Sequence, residues 1–88
     1  MTERKATIVN PLGLHARPAA QFVKLASTFS AEIEVEKDDG AINGKSIMGV
    51  MMLAAEQGSI LLIRATGVDE MKAADALAAL VASGFGEA

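Results

Sequence analysis

Residues 31–43 of the chain, AEIEVEKDDGAIN, alternate between apolar and charged side chains until they reach a turn. Successive side chains of a β-strand point to opposite sides, so two apolar residues share one side and three glutamates share the other: Ile33 and Val35, against Glu32, Glu34 and Glu36. The pattern therefore predicts that Ala31–Lys37 is a strand with one buried and one solvent-facing side. Asp38-Asp39-Gly40 predicts a tight turn into a hairpin partner, Ala41–Asn43.

A strand and a helix are predicted before this hairpin. Lys5–Val9 is short and rich in β-forming residues, and Asn10-Pro11 ends it. A helix is predicted over Arg17–Phe29, where apolar residues recur at the spacing of one helix face: Ala19, Phe22, Val23, Ala26 and Phe29.

A second helix, a strand and a third helix are predicted after the hairpin. Ser46 is typical of the N-cap of a short helix, Ile47–Ala54, which Gln57-Gly58 ends. Ser59–Thr66 contains four consecutive apolar residues and predicts a buried strand. Asp69 predicts the N-cap of a third helix, closed by Gly84, with three residues turned inward: Leu77, Leu80 and Val81.

The resulting order of elements is β-α-β-β-α-β-α. It predicts a two-layer α+β fold in which helices cover one face of an antiparallel sheet. No linker, repeat or low-complexity segment divides the sequence, so we expect residues 1–88 to form a single domain. The order of the elements does not fix the order of the strands within the sheet.

The composition restricts the classes of function. The 88-residue chain has a net charge of −3 and only three aromatic residues, so it lacks the basic face and stacking rings of a nucleic-acid binder. It has no cysteine and one histidine, which argues against a metal site, and we expect no cofactor. The longest apolar run, Ile47–Ala55, is too short to span a bilayer, and residues 1–5 do not resemble a signal peptide. We therefore expect a cytoplasmic protein without direct membrane insertion.

His15 stands at the predicted start of the first helix. A lone histidine there is more often a surface or capping residue, but its neighbours favour a functional role. If His15 is the N-cap, the N–H groups of Ala16 and Arg17 point outward beside its ring, where a helix binds phosphate. Pro18 has no N–H to lose, and the guanidinium of Arg17 adds a permanent cation. The same positive surroundings favour a neutral, nucleophilic imidazole, so these residues predict a histidine that accepts and releases a phosphoryl group.

Two motifs in the chain resemble those of a known family. Gly13-Leu14-His15-Ala16-Arg17-Pro18-Ala19 resembles the phosphorylation-site motif of the HPr family, the histidine-containing phosphocarriers of the bacterial phosphoenolpyruvate-dependent sugar phosphotransferase system. Lys45-Ser46-Ile47-Met48-Gly49-Val50-Met51 is similar to the second signature of that family, at the usual distance downstream. Length and element order agree as well, so the resemblance covers essentially the whole chain.

The resemblance implies an open-faced β-sandwich, with a four-stranded antiparallel sheet in the order 1-4-2-3 and three helices on one face. It implies that His15 accepts a phosphoryl group at Nδ1 from phosphorylated enzyme I and passes it to the IIA domains of sugar permeases. Arg17 would assist the transfer, and the phosphate would rest on the amides of Ala16 and Arg17. By this resemblance the chain is a monomeric carrier and not an enzyme.

Ser46 has two interpretations. It is the N-cap of the second helix and nothing more, or it is also a regulatory site. The second interpretation comes from the family, because in many Gram-positive bacteria and some proteobacteria the matching serine is phosphorylated by an HPr kinase/phosphorylase. A phosphoserine at a helix N-terminus is electrostatically favourable.

The second helix has no polar face. Its residues Ile47–Leu53 are apolar apart from Gly49, and a two-layer fold buries only one side of a helix. We therefore expect an exposed apolar patch, and methionine side chains suit a surface that binds several partners in turn. By resemblance, three residues would dock the partners: Ile47, Met48 and Met51.

The sequence is compatible with three other functions. The ending Leu80–Phe85 resembles carriers of the nitrogen-related branch of the phosphotransferase system, which regulate and do not feed sugar uptake. A small phosphate-binding hydrolase of the acylphosphatase type would bind phosphate through Arg17. A purely regulatory binding module would use the second helix and would not need His15.

Overall fold

In the computed structural model, which describes residues 1–38 and 40–87, four strands form one sheet: β1 (Thr2–Thr7), β2 (Glu32–Lys37), β3 (Gly40–Asn43) and β4 (Ile60–Thr66). Their order across the sheet is β1-β4-β2-β3, and all neighbouring strands are antiparallel. The fold class and the strand order implied by the resemblance are confirmed. Asp39 of the predicted turn and Ala88 lie outside the described residues. The predicted hairpin is present, because Lys37 pairs with Gly40.

Three α-helices accompany this sheet: α1 (Ala16–Ala26), α2 (Ile47–Met52) and α3 (Glu70–Ala82), and a 3₁₀ turn follows at Gly84–Gly86. α3 packs against β1 and β4, and α1 contacts both α2 and α3. The helices thus form one layer on one face of the sheet, as predicted. Among the residues that the structure describes, no helix combines the length and the apolar character needed to cross a membrane.

The core lies between the sheet and the helices. Ile33 and Val35 of β2 are buried, as their alternation with glutamates predicts. They belong to one cluster with other fully buried side chains: Phe22, Leu61, Ile63 and Leu77. The prediction that the apolar run of β4 is buried throughout is wrong at Ile60, which is 59% exposed. β4 lies in a sheet with one uncovered face, so only alternate residues of the strand can reach the core.

The uncovered face of the sheet carries a cluster of charges around Arg64 of β4. Its guanidinium donates hydrogen bonds to Glu3 and Glu34 at 2.7 Å each, and another nitrogen lies 2.7 Å from Glu36. These contacts, with Glu3 first, raise the pKa of Arg64 above its already high ordinary value. The glutamates on this face of β2 are therefore joined to the neighbouring strands, because β4 lies between β1 and β2.

The ends of several elements differ from the sequence-based prediction. β1 begins at Thr2 and ends at Thr7, because its pairing with Ile60–Ala65 extends over residues whose hydrophobic pattern is weak. α2 ends at Met52 and not at Ala54: Ala54 donates to Met51 across three residues, which tightens the last turn. Ala54 then takes a positive φ of 50°, which the helix cannot continue.

The end of α1 and the start of α3 also differ from the prediction. α1 ends at Ala26 and not at Phe29, since Phe29 donates to Ala26 in a three-residue turn. Asp69 precedes α3 as predicted, but its side chain does not cap the helix. Its carboxylate accepts hydrogen bonds from the backbone of Ser30 at 2.9 Å and Ala31 at 2.8 Å instead. These bonds lower the pKa of Asp69 and tie the start of α3 to the start of β2.

Candidate functional site

The loop between β1 and α1 places His15 by binding to the segment after α2. Gly13 has a φ of 68°, and a Cβ atom on it would lie 2.5 Å from the carbonyl oxygen of Ala55. Only glycine fits this approach without displacement of the backbone. The next residue, Leu14, donates its N–H to the same oxygen at 2.8 Å and is itself buried. The position of His15 is therefore linked to the end of α2.

His15 is the N-cap of α1, as predicted, but its ring does not cap the helix. Its backbone is extended, with φ −77° and ψ −172°, and its carbonyl accepts the N–H of Ala19 at 3.0 Å. The ring is thus left for other contacts. In residues 1–38 and 40–87 no hydrogen bond is found to the N–H groups of Ala16 and Arg17. These two donors stand at the positive end of α1, directly after His15 in the chain.

The ring of His15 contacts a carboxylate that the sequence analysis did not assign to the site. His15 Nε2 lies 2.9 Å from Oε2 of Glu87 and 3.2 Å from Oε1. The two residues are separated by 72 positions, so no local pattern in the sequence places them together. The signal that the sequence did contain is Gly84-Phe85-Gly86, whose glycines permit a sharp reversal after α3.

Residues 84–87, here called the C-terminal strap, bring Glu87 back to His15. Gly84, Phe85 and Gly86 have φ values of 72°, 58° and 73°, a left-handed run that turns the chain. Phe85 adopts this conformation although it is not a glycine, and its side chain is 3% exposed. A residue of this size in that region is strained, which packing of the ring in the core must offset. The strap is therefore anchored by burial of Phe85.

Asn10 connects the strap to the His15 loop. Its side chain is 1% exposed, and its Nδ2 donates to the carbonyl of Gly13 at 2.7 Å and to Oε1 of Glu87 at 2.9 Å. Its Oδ1 is buried and has no hydrogen-bond partner in the described part of the chain. A buried oxygen without a hydrogen-bond partner lowers the stability of the fold by about 1–3 kcal/mol. The side-chain amide of Asn10 keeps this orientation because its nitrogen makes two hydrogen bonds in it.

The contacts of Glu87 favour the charged form of its carboxyl group. The hydrogen bond from His15 lowers the pKa of Glu87, partial burial opposes this effect, and the bond from Asn10 and the positive charge of Arg17 add to the lowering. Glu87 is therefore a carboxylate near neutral pH. An open groove of about 310 Å³ lies beside the pair, lined by residues of the loop, α1 and the strap: Pro11, Leu12, Arg17, Gln21, Phe85, Gly86 and Glu87.

α2 contributes a second set of predicted residues. Ser46 is its N-cap, and Oγ of Ser46 accepts the N–H of Gly49 at 3.1 Å, which confirms the capping role. Val50 is buried, whereas the side chains on the outer side of the helix are exposed: Ile47 42%, Met48 67%, Met51 41% and Met52 77%. These four residues form an exposed apolar surface, here called the α2 patch, and its presence is as predicted.

The geometry of α2 separates Ser46 from the His15 loop. The end of the helix adjoins that loop through the contact between Leu14 and Ala55. α2 has six residues, each with a rise of about 1.5 Å, so Ser46 lies about 9 Å along the helix axis from the end of α2. His15, Ala16 and Arg17 thus form one cluster with Glu87, and Ser46 lies at the far end of the α2 patch.

The sequence matches one protein family over most of its length. The family is described as "PTS HPr component phosphorylation site", and the match covers residues 2–83. The chain is 47% identical over 87 residues to the phosphocarrier protein HPr of Cupriavidus necator, with 99% of this chain and 98% of that protein covered. It is 46% identical to the phosphocarrier protein HPr of Neisseria meningitidis, with the same coverage.

The fold is similar to solved structures of HPr and of Crh. HPr from Thermoanaerobacter tengcongensis has a TM-score of 0.95 and 51% identity, with 100% of this chain and 99% of that chain covered. HPr from Bacillus anthracis has a TM-score of 0.87 and 45% identity, with 91% and 95% covered. Crh from Bacillus subtilis, solved as a dimer with a swapped domain, has a TM-score of 0.77 and 42% identity, with 96% and 97% covered.

Proposed function

Because this chain belongs to the HPr family of phosphocarrier proteins, we propose that it accepts a phosphoryl group on His15 from phosphorylated enzyme I and donates it to IIA domains. The observation that supports this proposal most directly is the position of His15 as the N-cap of α1, directly before the N–H groups of Ala16 and Arg17. A helix N-terminus with two such donors and a guanidinium suits the oxygens of a phosphoryl group.

The proposed step forms a nitrogen–phosphorus bond on His15 as the bond between phosphorus and the donor group of enzyme I breaks. The lone pair of Nδ1 of His15 attacks phosphorus, and the electron pair of the broken bond returns to the donor atom. The phosphoryl oxygens then accept hydrogen bonds at the start of α1, and Arg17 balances their negative charge. The reverse exchange delivers the group to the next acceptor.

The α2 patch is the proposed docking surface for these partners. Ile47, Met48 and Met51 are exposed in a helix that is linked through Ala55 to the His15 loop. Flexible methionine side chains adapt to more than one partner, as a carrier between enzyme I and several IIA domains requires. The proposal includes a single cytoplasmic domain that acts as a monomer.

Ser46 is the proposed site of regulation by an HPr kinase/phosphorylase. Its hydroxyl lies at the start of α2, where phosphate is compatible with the helix N-terminus, and it borders Ile47 and Met48 of the α2 patch. A phosphate there adds close to two negative charges to an apolar docking surface.

Labelling with phosphoenolpyruvate and catalytic amounts of purified enzyme I tests the proposed function. We expect one acid-labile, alkali-stable phosphoryl group on the wild type and none on His15→Ala. Subsequent addition of a purified IIA domain should remove the label from the carrier. A wild type that remains unlabelled, or a His15→Ala variant that is labelled equally, would contradict the proposal. Steady release of inorganic phosphate by the protein alone would indicate a hydrolase instead.

A further inference from the structure

We infer that Met48 and Met52 of the α2 patch form a site of reversible oxidation: hydrogen peroxide converts their thioethers to sulfoxides, and the patch then binds its partners weakly. The loss of partner binding rests on the proposed function, because it requires that the α2 patch is the docking surface. The oxidation itself does not rest on that function.

All sulfur in the chain belongs to methionine, and most of it lies in α2. The sequence has five methionines and no cysteine. Three of the five lie within the six residues of α2: Met48, Met51 and Met52. Oxidation of a methionine to its sulfoxide is a common reaction of proteins, and methionine sulfoxide reductases reverse it. The helix that is proposed to bind partners is therefore also the main place where this chain can react with an oxidant.

Met48 and Met52 stand about one turn apart on the outer side of α2. Residues four positions apart share one face of a helix, and both of these side chains are largely exposed. Peroxide in solution therefore reaches their sulfur atoms without any opening of the fold. The core contact of α2 is made by another residue, Val50, which is buried, and Leu53 packs beside it. Oxidation of the two exposed methionines should therefore leave the helix and the core intact.

The reaction transfers one oxygen atom to each sulfur. A lone pair of the thioether sulfur attacks one oxygen of hydrogen peroxide, the bond between the two peroxide oxygens breaks, and its electron pair leaves with the other oxygen. That oxygen takes the proton carried by the transferred one and departs as water. The sulfur is oxidised by two electrons, the peroxide is reduced by two, and a sulfoxide remains on the side chain.

A sulfoxide changes the α2 patch from an apolar to a polar surface. Its oxygen is a hydrogen-bond acceptor, which water satisfies while the protein is free. A partner shaped for apolar contact would bury that oxygen without a donor, and an unsatisfied buried acceptor should raise the dissociation constant about tenfold. Enzyme I and the IIA domains should be affected together, since the same patch is proposed to bind both. His15 lies outside α2, so the transfer step should keep its rate at saturating enzyme I.

Mass spectrometry of the folded protein after timed exposure to hydrogen peroxide tests the oxidation. Trypsin cuts after Lys45 and Arg64, so one peptide carries the three methionines of α2, and its fragment spectrum locates each added oxygen. We expect sulfoxides at Met48 and Met52, and their return to thioethers with methionine sulfoxide reductases. Met71 of α3 is the internal reference, since it is 63% exposed and Met48 is 67% exposed. If Met48 and Met52 were still thioethers when Met71 had been oxidised, the inference would be overturned.

Rates of His15 phosphorylation test the effect on docking, after catalase has removed the peroxide and before enzyme I is added. Oxidised wild type should need about tenfold more enzyme I to reach half of its maximal rate, and the reductases should restore the original value. Each protein is compared with itself before and after peroxide. The double variant Met48→Leu, Met52→Leu has no sulfur at these positions and should not change on oxidation, whereas Met71→Leu should respond as the wild type does.

Two results would overturn the effect on docking. One is an oxidised wild type that needs no more enzyme I than the reduced protein. The other is a double variant that is weakened by peroxide as much as the wild type. Circular dichroism of the oxidised protein shows whether the fold is retained, and loss of the fold would also contradict the inference. If reduced wild type were not phosphorylated at all, the proposed function would fail, and the mass spectra would still decide whether Met48 and Met52 are oxidised.

Discussion

His15 and Glu87 are 72 positions apart in the chain, and their side chains meet at 2.9 Å. One belongs to the start of α1 and the other to the strap after α3, so the site is completed only when the two ends of the fold come together. The carboxylate faces Nε2, while the N–H groups of Ala16 and Arg17 stand at the start of the helix. The ring thus contacts a negative group, and the residue that carries it stands at a positive helix end.

Replacement of Arg17 should slow the transfer of phosphate without loss of stability. Arg17 is exposed in the first turn of α1, and its charge reaches the site, since it contributes to the lowered pKa of Glu87. Loss of a charge-assisted contact to phosphate should lower the rate of His15 phosphorylation by Arg17→Ala about tenfold or more. Lys24→Ala removes an exposed cation from the far end of the same helix and should leave the rate unchanged. Equal rates for Arg17→Ala and wild type would count against contact between Arg17 and the phosphoryl group.

A negative charge at Ser46 should weaken docking and leave the fold intact. Ser46→Asp places a carboxylate at the start of α2, which the helix tolerates, but the charge must be desolvated when the α2 patch is buried by a partner. We expect slower phosphorylation at limiting enzyme I, by roughly threefold to tenfold, and a smaller effect at saturation. Titration of the initial rate against enzyme I concentration measures this difference.

Two variants separate the charge from the cap in that experiment. Ser46→Ala removes the oxygen that accepts the N–H of Gly49, which should lower the free energy of unfolding by about 1 kcal/mol and leave the transfer rate near that of the wild type. Ala79→Asp adds a charge to the exposed side of α3 and should affect neither docking nor transfer. If Ala79→Asp slowed transfer as much as Ser46→Asp, the effect would be one of net charge and not of the docking surface.

Gly13→Ala should be strongly destabilising. The added Cβ atom would lie 2.5 Å from the oxygen of Ala55 in a backbone conformation that L-residues rarely adopt. We expect a loss of about 2–4 kcal/mol in the free energy of unfolding, measured by denaturant titration. Gly58→Ala is the matched control, since Gly58 has a positive φ of 92° but open space around it, so it should show the cost of strain alone. Equal losses in the two variants would mean that the contact with Ala55 adds nothing.

Glu70 should make stability depend on pH in the acid range. Its hydrogen bond from Thr2, together with the chain amino group and the N–H of Gly67, lowers the pKa of Glu70 from 4.5 to about 2. Because the folded-state pKa is the lower one, the contribution of Glu70 is fully present above about pH 4.5 and is lost as pH falls toward 2. Asp69 and Glu87 act in the same direction.

Thermal unfolding of Glu70→Gln across this range measures that contribution. The variant should be less stable than the wild type at pH 6, and the difference should shrink as pH falls toward 2. Glu32→Gln provides the comparison, as a glutamate on the uncovered face of the sheet. A difference between Glu70→Gln and wild type that stays constant over the whole range would show that protonation of Glu70 is not linked to unfolding.

Much of the fold follows from local patterns in the sequence. The alternation in residues 31–37 predicts a strand with one solvent-facing side, and Ser46 predicts an N-cap. Both are confirmed, because both features depend on neighbours within a few positions. The element ends were less accurate. Asp69 has the sequence position of a cap, yet its carboxylate binds the backbone of Ser30 and Ala31, which come together with it only in the folded chain.

The candidate site likewise has a part that local sequence predicts and a part that depends on distant contacts. The start of α1 was predictable from His15, Arg17 and Pro18, since a helix N-terminus is a local feature. Glu87 was not predictable from its surroundings, because its role depends on the left-handed run at Gly84–Gly86 and on burial of Phe85. In the sequence, Glu87 is a polar residue after a glycine-rich segment, and no residue near it indicates which side chain its carboxylate contacts.

The charge cluster on the uncovered sheet face has a consequence for self-association. A sheet with helices on one side only is half of a sandwich, and a second copy of the chain could complete it by stacking open face on open face. Arg64 is surrounded by Glu3, Glu34 and Glu36, so that face carries more negative than positive charge. Stacking would strip water from these carboxylates and place like charges opposite one another, which opposes association through this face. The arginine stabilises the three strands, and the excess of glutamates keeps the exposed sheet facing water.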